Sequence, residues 1–163
     1  MPAPLSSGTD RETIARAGDH RALRIWLRLL TCTQLIERQV RSRLRAQFAT
    51  TLPRCDLMAQ LARHPEGLKM NEISRLLMVT GGNVTAIVDL LEKEGLVERF
   101  DEPADRRAFR IHLTRSGERS FAEMARAHEG WVVELLAGMG RREQDELLRL
   151  LAKVKQHAVE VSS

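Results

Sequence analysis

The sequence predicts a mainly α-helical chain built around a helix-turn-helix and one short β-hairpin, and three observations carry that expectation. First, Val84, Ile87, Val88 and Leu91 recur at the spacing of one buried helical stripe across Gly82 to Glu94, with Gly95 as a stop. Second, Ile73, Leu76 and Leu77 mark a shorter helix just before it, and a glycine-containing break at Val79 to Gly82 joins the two. Third, the period then changes from helical to alternating. Phe109, Ile111 and Leu113 face one way and Arg110 and His112 the other, as a half-buried strand requires, with Leu96 to Phe100 as the hairpin partner. The intervening Asp101 to Arg107, DEPADRR, is too charged and proline-broken for a core, so the hairpin reads as a wing.

The remaining elements follow in order. Residues 1 to about 10 are rich in Pro, Ser and Gly and are expected to be mobile. From Asp19 a long helix begins, apolar along Leu23, Trp26, Leu27, Leu30, Ile36, Val40 and Leu44 and arginine-rich elsewhere. Its length suggests a partner subunit, the alternative being that it lies across its own domain. Thr51, Leu52 and Pro53 start the next helix, whose buried side is Leu57, Met58, Leu61 and Ala62 and which Pro65 and Gly67 end. Asn71 is the expected cap of the helix after that. Thr114 caps a helix with Phe121, Met124, Ala125, His128, Trp131, Val132, Leu135 and Met139 on its apolar side. After Gly138 and Gly140 a last stripe runs through Leu147, Leu150, Leu151, Val154, Ala158 and Val161. The outer helices, 19–48 and 116–161, are therefore expected to pack against the same helices of a second copy, around a winged segment at 52–115. Nothing in 1–163 reads as a linker, so a single domain is expected.

Composition narrows the class. A net charge of +4 with a pI near 9.7, mostly from arginine, fits a polyanionic partner. Two cysteines do not make a disulfide scaffold, and the five histidines are scattered, so neither zinc nor another metal is expected. No signal-like segment and no apolar run of roughly 20 residues is present, which points to a soluble cytoplasmic protein without a membrane partner. The sequence has no H-E-x-x-H, phosphate loop or G-x-S-x-G, so neither an enzyme nor a cofactor is expected.

The chemistry lies in the winged segment. The major groove accepts a helix and distinguishes every base pair. On the outward face of the second helix, Asn83 suits adenine, Thr85 a phosphate or base, and Ala86 a thymine methyl. Thr80 is a further candidate contact, although Thr80 and Asn83 could instead cap the helix. Asp89 is awkward beside phosphates, and either accepts from cytosine or sits beyond the contact. At the wing, Asp105, Arg106 and Arg107 offer an arginine to the negative potential of a narrow minor groove, with Asp105 free to pair with another arginine such as Arg99. A solvated turn is the plain alternative for these charges. A winged helix can also serve as a protein-interaction module, which the basic tip disfavours.

These residues resemble the MarR transcriptional regulators. The similar segments are GLKMNEISRLL, VTGGNVTAIVDLLEKEGLVER and DRRAFRIHLTRSG, with Leu113, Thr114 and Gly117 opening the following helix, and the match runs from Leu52 to Gly117. The family's wing pattern D-x-R falls on Asp105 and Arg107, which implies Arg107 in the minor groove and Arg106 on the backbone. The resemblance implies a homodimer that binds a palindromic site in double-stranded DNA through its two winged segments. The wording around LMAQLARHPEGLKMNEISRLLMVTGGNVT looks most like the branch that controls breakdown of aromatic acids, hydroxycinnamates included, with the acid or its coenzyme A thioester as inducer. In the family, ligands bind between dimerisation helices and winged segment. Trp26, Met58, His128 and Trp131 are then the candidate lining, with Arg24 or Arg28 for an anionic group. Each is equally a core or interface side chain by type. Cysteine sensing is the alternative mechanism: Cys32 lies within the long helix, and Cys55 lies near a helix N-terminus that could lower its pKa.

Overall fold

The computed structural model describes residues 20–78, 80–102 and 105–162, with 102 and 105–108 given by their backbone alone. The mobility expected of the first ten residues and the helix start at Asp19 lie outside the described residues. Six helices and three strands are found among those described. They run α1 (Arg21–Phe48), α2 (Leu52–Arg63), β1 (Leu68–Lys69), α3 (Met70–Leu77), α4 (Gly81–Lys93), β2 (Val97–Glu102), β3 (Asp105–Leu113), α5 (Arg115–Leu135) and α6 (Arg141–Val161). The arrangement is the mainly α winged helix-turn-helix that the sequence predicts. Two compact units are distinguished, Met1–Ala125 and Arg126–Ser163, with the boundary inside α5. Among the described residues no single helix is long and apolar enough to cross a membrane.

The first unit is built on side chains withdrawn from water. Leu44, Leu57, Met58, Ile73, Val84, Val88, Leu91 and Ile111 are fully buried, each worth roughly 1.5–3 kcal/mol by its apolar area alone. Val40 and Leu44 are the only buried residues of α1, whose first half exposes Leu23, Ile25 and Trp26. Proline in the first turn of α2 sits where no N–H is needed. The expected cap at Asn71 is corrected. Helix α3 begins two residues earlier, because Glu72 Oε2 accepts the Lys69 N–H at 2.8 Å and fixes Lys69 as the flanking residue. The helix ends at Met78, in the left-handed region at φ 55°, and Thr80 flanks the start of α4.

The sheet runs β1-β3-β2, antiparallel throughout. Strand β1 adds to the expected hairpin, pairing Leu68 with Ile111 and Lys69 with Arg110. The second face of β3 is not simply wet, because β2 and the loop before β1 supply partners for it. His112 stacks edge-on against Phe100 at 5.0 Å, and its Nδ1 lies 3.1 Å from the Pro65 carbonyl. Arg110 donates to the Gly67 carbonyl at 2.9 Å.

A threonine joins wing and helix as expected. Thr114 Oγ1 accepts the Gly117 N–H at 3.0 Å, capping α5, and donates to the Gly95 carbonyl at 2.7 Å. The Thr114 N–H donates to the Leu96 carbonyl at 3.0 Å. Gly117 is packed so closely beneath that carbonyl that a Cβ would stand 2.0 Å from the Leu96 oxygen.

In the second unit, Gly140 N–H donates to Glu143 Oε2 at 2.7 Å to open α6, and Gln144 Nε2 donates to the Met139 carbonyl at 3.0 Å. Helix α6 has no buried residue, and Leu148, Leu150, Leu151, Val154, Val159 and Val161 are exposed.

Gly117→Ala is expected to destabilise the protein by about 1–3 kcal/mol or more in urea unfolding, through the clash with Leu96. Gly130→Ala, with nothing within 4 Å of the new carbon, should be neutral or stabilising by up to about 1 kcal/mol. Equal effects at both sites would contradict the packing described.

Candidate nucleic-acid interface

Helix α4 divides its surface sharply. Val84, Val88 and Leu91 are buried, whereas Thr80, Gly81, Gly82, Asn83, Thr85, Ala86 and Asp89 are exposed. The exposed first half is small and uncharged. Thr80 occupies the N-cap position, but its side chain makes no capping hydrogen bond. Its carbonyl accepts the Asn83 and Val84 N–H groups at 3.1 and 3.2 Å. Asn83 takes no side-chain hydrogen bond among the described residues, so its amide keeps a donor and an acceptor for an outside partner. Thr85 donates its hydroxyl back to the Gly81 carbonyl at 3.1 Å, which leaves its lone pairs outward.

The wing stands next in the chain. Asp105 opens β3 and pairs with Glu102, so Asp105, Arg106 and Arg107 lie at the turn end of the hairpin. Their side chains lie outside the described residues, as does the expected Arg99–Asp105 pair. The partners that Arg99 does show are on α4. Its Nη2 donates to Asp89 Oδ1 and its Nη1 to Glu92 Oε2. Its guanidinium carbon also sits 5.3 Å from the centre of the Phe109 ring. From α2, Arg54 Nη2 donates to Glu94 Oε2, just beyond the last turn of the same helix. Two arginines from outside α4 thus hold two of its carboxylates and that of Glu94, which flanks its end, a network the sequence reading missed. The acids at Asp89 and Glu92, one turn apart, were its available signal.

The candidate ligand residues fall into separate groups. Arg24 and Arg28 line a shallow groove with Arg21 and Ile25 on α1, where Trp26 is 58% exposed. Met58 is fully buried in the core of the first unit. His128 and Trp131 meet edge-on at 6.4 Å between ring centres, on α5. Among the described residues no three His, Cys, Asp or Glu side chains gather closely enough to hold a metal ion.

The two thiols differ. Cys32 is exposed and Cys55 buried. Burial, reinforced by the neighbouring Asp56 carboxylate, pushes the Cys55 thiol up from 9.0 to about 11. The lowering expected from the helix N-terminus is corrected: the thiol is raised, by burial first and by the Asp56 carboxylate second.

Residues 50–108 match a family model described as MarR family. The HTH-type transcriptional regulator PrsX of Escherichia coli is 35% identical over 96 residues, 59% of this chain and 58% of PrsX. The chain spans 58% of the length of such curated relatives. The crystal structure of a MarR family transcriptional regulator from Silicibacter pomeroyi is similar at 31% identity and TM-score 0.71, covering 85% of this chain and 95% of that one. Sco3205 from Streptomyces coelicolor, a MarR family transcriptional regulator crystallised in complex with DNA, shares the fold at 23% identity and TM-score 0.69, over 82% and 84% of the two chains.

In the native protein at neutral pH one thiol, Cys32, should react promptly with a disulfide reagent, and Cys55 only on unfolding. The folded state also holds the Cys55 proton more tightly than the unfolded chain does. That contribution is full below pH 9 and is lost as pH rises through 9 to about 11. Urea titrations of wild type and Cys55→Ala across that range should converge in their pH dependence only if another group is responsible.

Proposed function

The chain belongs to the MarR family, and from that membership we propose that it is a sequence-specific DNA-binding transcriptional regulator. It acts as a homodimer whose winged segments each take one half of a palindromic operator. The observation that carries this reading is the division of α4, buried along Val84, Val88 and Leu91 and bare along Asn83, Thr85 and Ala86. A helix seated in its own core by one face can present the other to a groove wide enough to accept it. Asn83 reads adenine, Ala86 meets a thymine methyl, and Thr80 and Thr85 serve phosphates or base edges. The wing brings Arg107 to the minor groove and Arg106 to the backbone, with Asp105 steadying the turn.

The apolar residues that α6 leaves exposed, Leu148, Leu150, Leu151 and Val154, suit a second copy presenting the same surface. Dimer geometry then sets the separation of the two recognition helices, roughly 34–36 Å for half-sites one DNA turn apart. The protein represses until a small anionic aromatic ligand or its coenzyme A thioester selects a dimer arrangement with poorly spaced helices. A coupling of about 1–3 kcal/mol suffices, because the ligand need only discriminate between two arrangements. Arg24 and Arg28 offer the anion its charge complement and Trp26 an exposed ring. Regulation of aromatic-acid breakdown follows from such an effector. The second reading, an oxidation trigger, rests on the exposed Cys32, and is supported only if peroxide releases DNA from wild type and not from Cys32→Ser.

Asn83→Ala should cost about 1–3 kcal/mol in operator affinity and relax base preference at one position per half-site, with the salt slope unchanged. Arg107→Ala should weaken operator binding and reduce the slope of log affinity against log salt by about one. An unchanged slope rules out the wing role. A wild-type protein without salt-dependent duplex binding points instead to a protein-interaction module.

A further inference from the structure

We propose that Arg99 is a positioning residue that locks the wing to the recognition helix, so that both meet one DNA site in a fixed register. The proposal rests on the DNA-binding reading above. It starts from the placement of charge on α4. Asp89 and Glu92 lie in the C-terminal half of the helix, where the negative end of the backbone dipole disfavours carboxylates. Each nevertheless has a cationic partner from a neighbouring element, as does Glu94 just beyond the last turn.

Arg99 suits this task by geometry. Asp89 and Glu92 are three residues apart and therefore neighbours on the helix surface. The two Nη atoms of one guanidinium take one carboxylate each, which the single point charge of a lysine cannot reproduce with the same planar fork. The guanidinium also covers Phe109 on β3. One side chain from β2 therefore touches both strands of the hairpin and the recognition helix. It is only 29% exposed, and its Nε–H is buried without an acceptor among the described residues, so the head group is held between these partners and does not project into solvent.

The arrangement also accounts for Asp89. This carboxylate is on the exposed face that carries Thr85 and Ala86, where an unpaired negative charge would repel phosphate. Arg99 offsets that charge from behind. Its positive charge is committed to the helix, which distinguishes it from an arginine that releases counterions from DNA.

The test uses the full chain, the tightest-binding duplex it recovers from a randomised pool, and a scrambled duplex of equal length and composition. Arg99→Lys, Arg99→Gln and the double variant Asp89→Asn/Glu92→Gln are each expected to lose tenfold or more on the recovered duplex. They should stay within about threefold on the scrambled one, with the salt slope of wild type. Adding Arg99→Gln to the double variant should cost nothing further. Asp89→Asn alone, at a side chain 56% exposed, should show the same selective loss and keeps the test decisive if the Arg99 variants unfold. Equal losses on both duplexes, a slope lowered by about one in the Arg99 variants, or no loss at all would overturn the proposal. If wild type recovers no duplex, the DNA-binding reading falls as well; if it recovers one and the variants match it, the clamp alone falls.

Discussion

Whatever the outward face of α4 does depends on the burial of Val84, Val88 and Leu91 on its inward face. A helix of 13 residues is marginal by itself in water, so its persistence and its orientation come from that packing. The division also decides the chemistry that is available. With Val84, Val88 and Leu91 committed inward, the exposed residues of the first two turns are only Gly, Asn, Thr and Ala, a surface that approaches another molecule closely and carries its hydrogen-bonding groups without charge.

The rest of the first unit fixes where that surface points. Thr114 ties the end of α4 to the start of α5 by bonding Gly95 and Gly117 at once, and the backbone at Gly117 comes so near Leu96 that no side chain fits. Arg54 and Arg99 grip the acids of the C-terminal half. The uncharged half of α4 is thus free for recognition and the charged half is occupied by attachment. The step from an uncharged to an acidic surface along one helix separates two tasks that would otherwise compete for the same side chains.

Much of this is legible in the sequence where one residue type at one spacing has one physical meaning. The stripe at Val84 to Leu91, the left-handed stop at Gly95 and the cap at Thr114 are of that kind, and all three stand in the structure. Strand β1 is two residues long and carries no period to detect. The cap of α3 depends on which side chain reaches the backbone, and Glu72 reaches further back than Asn71 permits. Cys55 looks activated from its place near a helix start, but a sequence does not display burial, which reverses the direction. The partners of Arg99 depend on how the hairpin folds back over the helix, so its bonds to Asp89 and Glu92 are invisible until the two elements are packed. The candidate ligand residues are separated by the same limit: a stripe shows Met58 and Trp26 alike as apolar, whereas one is wholly enclosed and the other mostly exposed.

The central claim is that α4 and the wing read adjacent grooves of one duplex. Methylation interference on a bound duplex tests it most directly, because methyl groups at guanine N7 lie in the major groove and those at adenine N3 in the minor groove. The expected pattern, in each of two symmetric half-sites, is interference at N7 in a central segment flanked by interference at N3. Interference confined to one groove, or absent from both while the duplex stays bound, would contradict it.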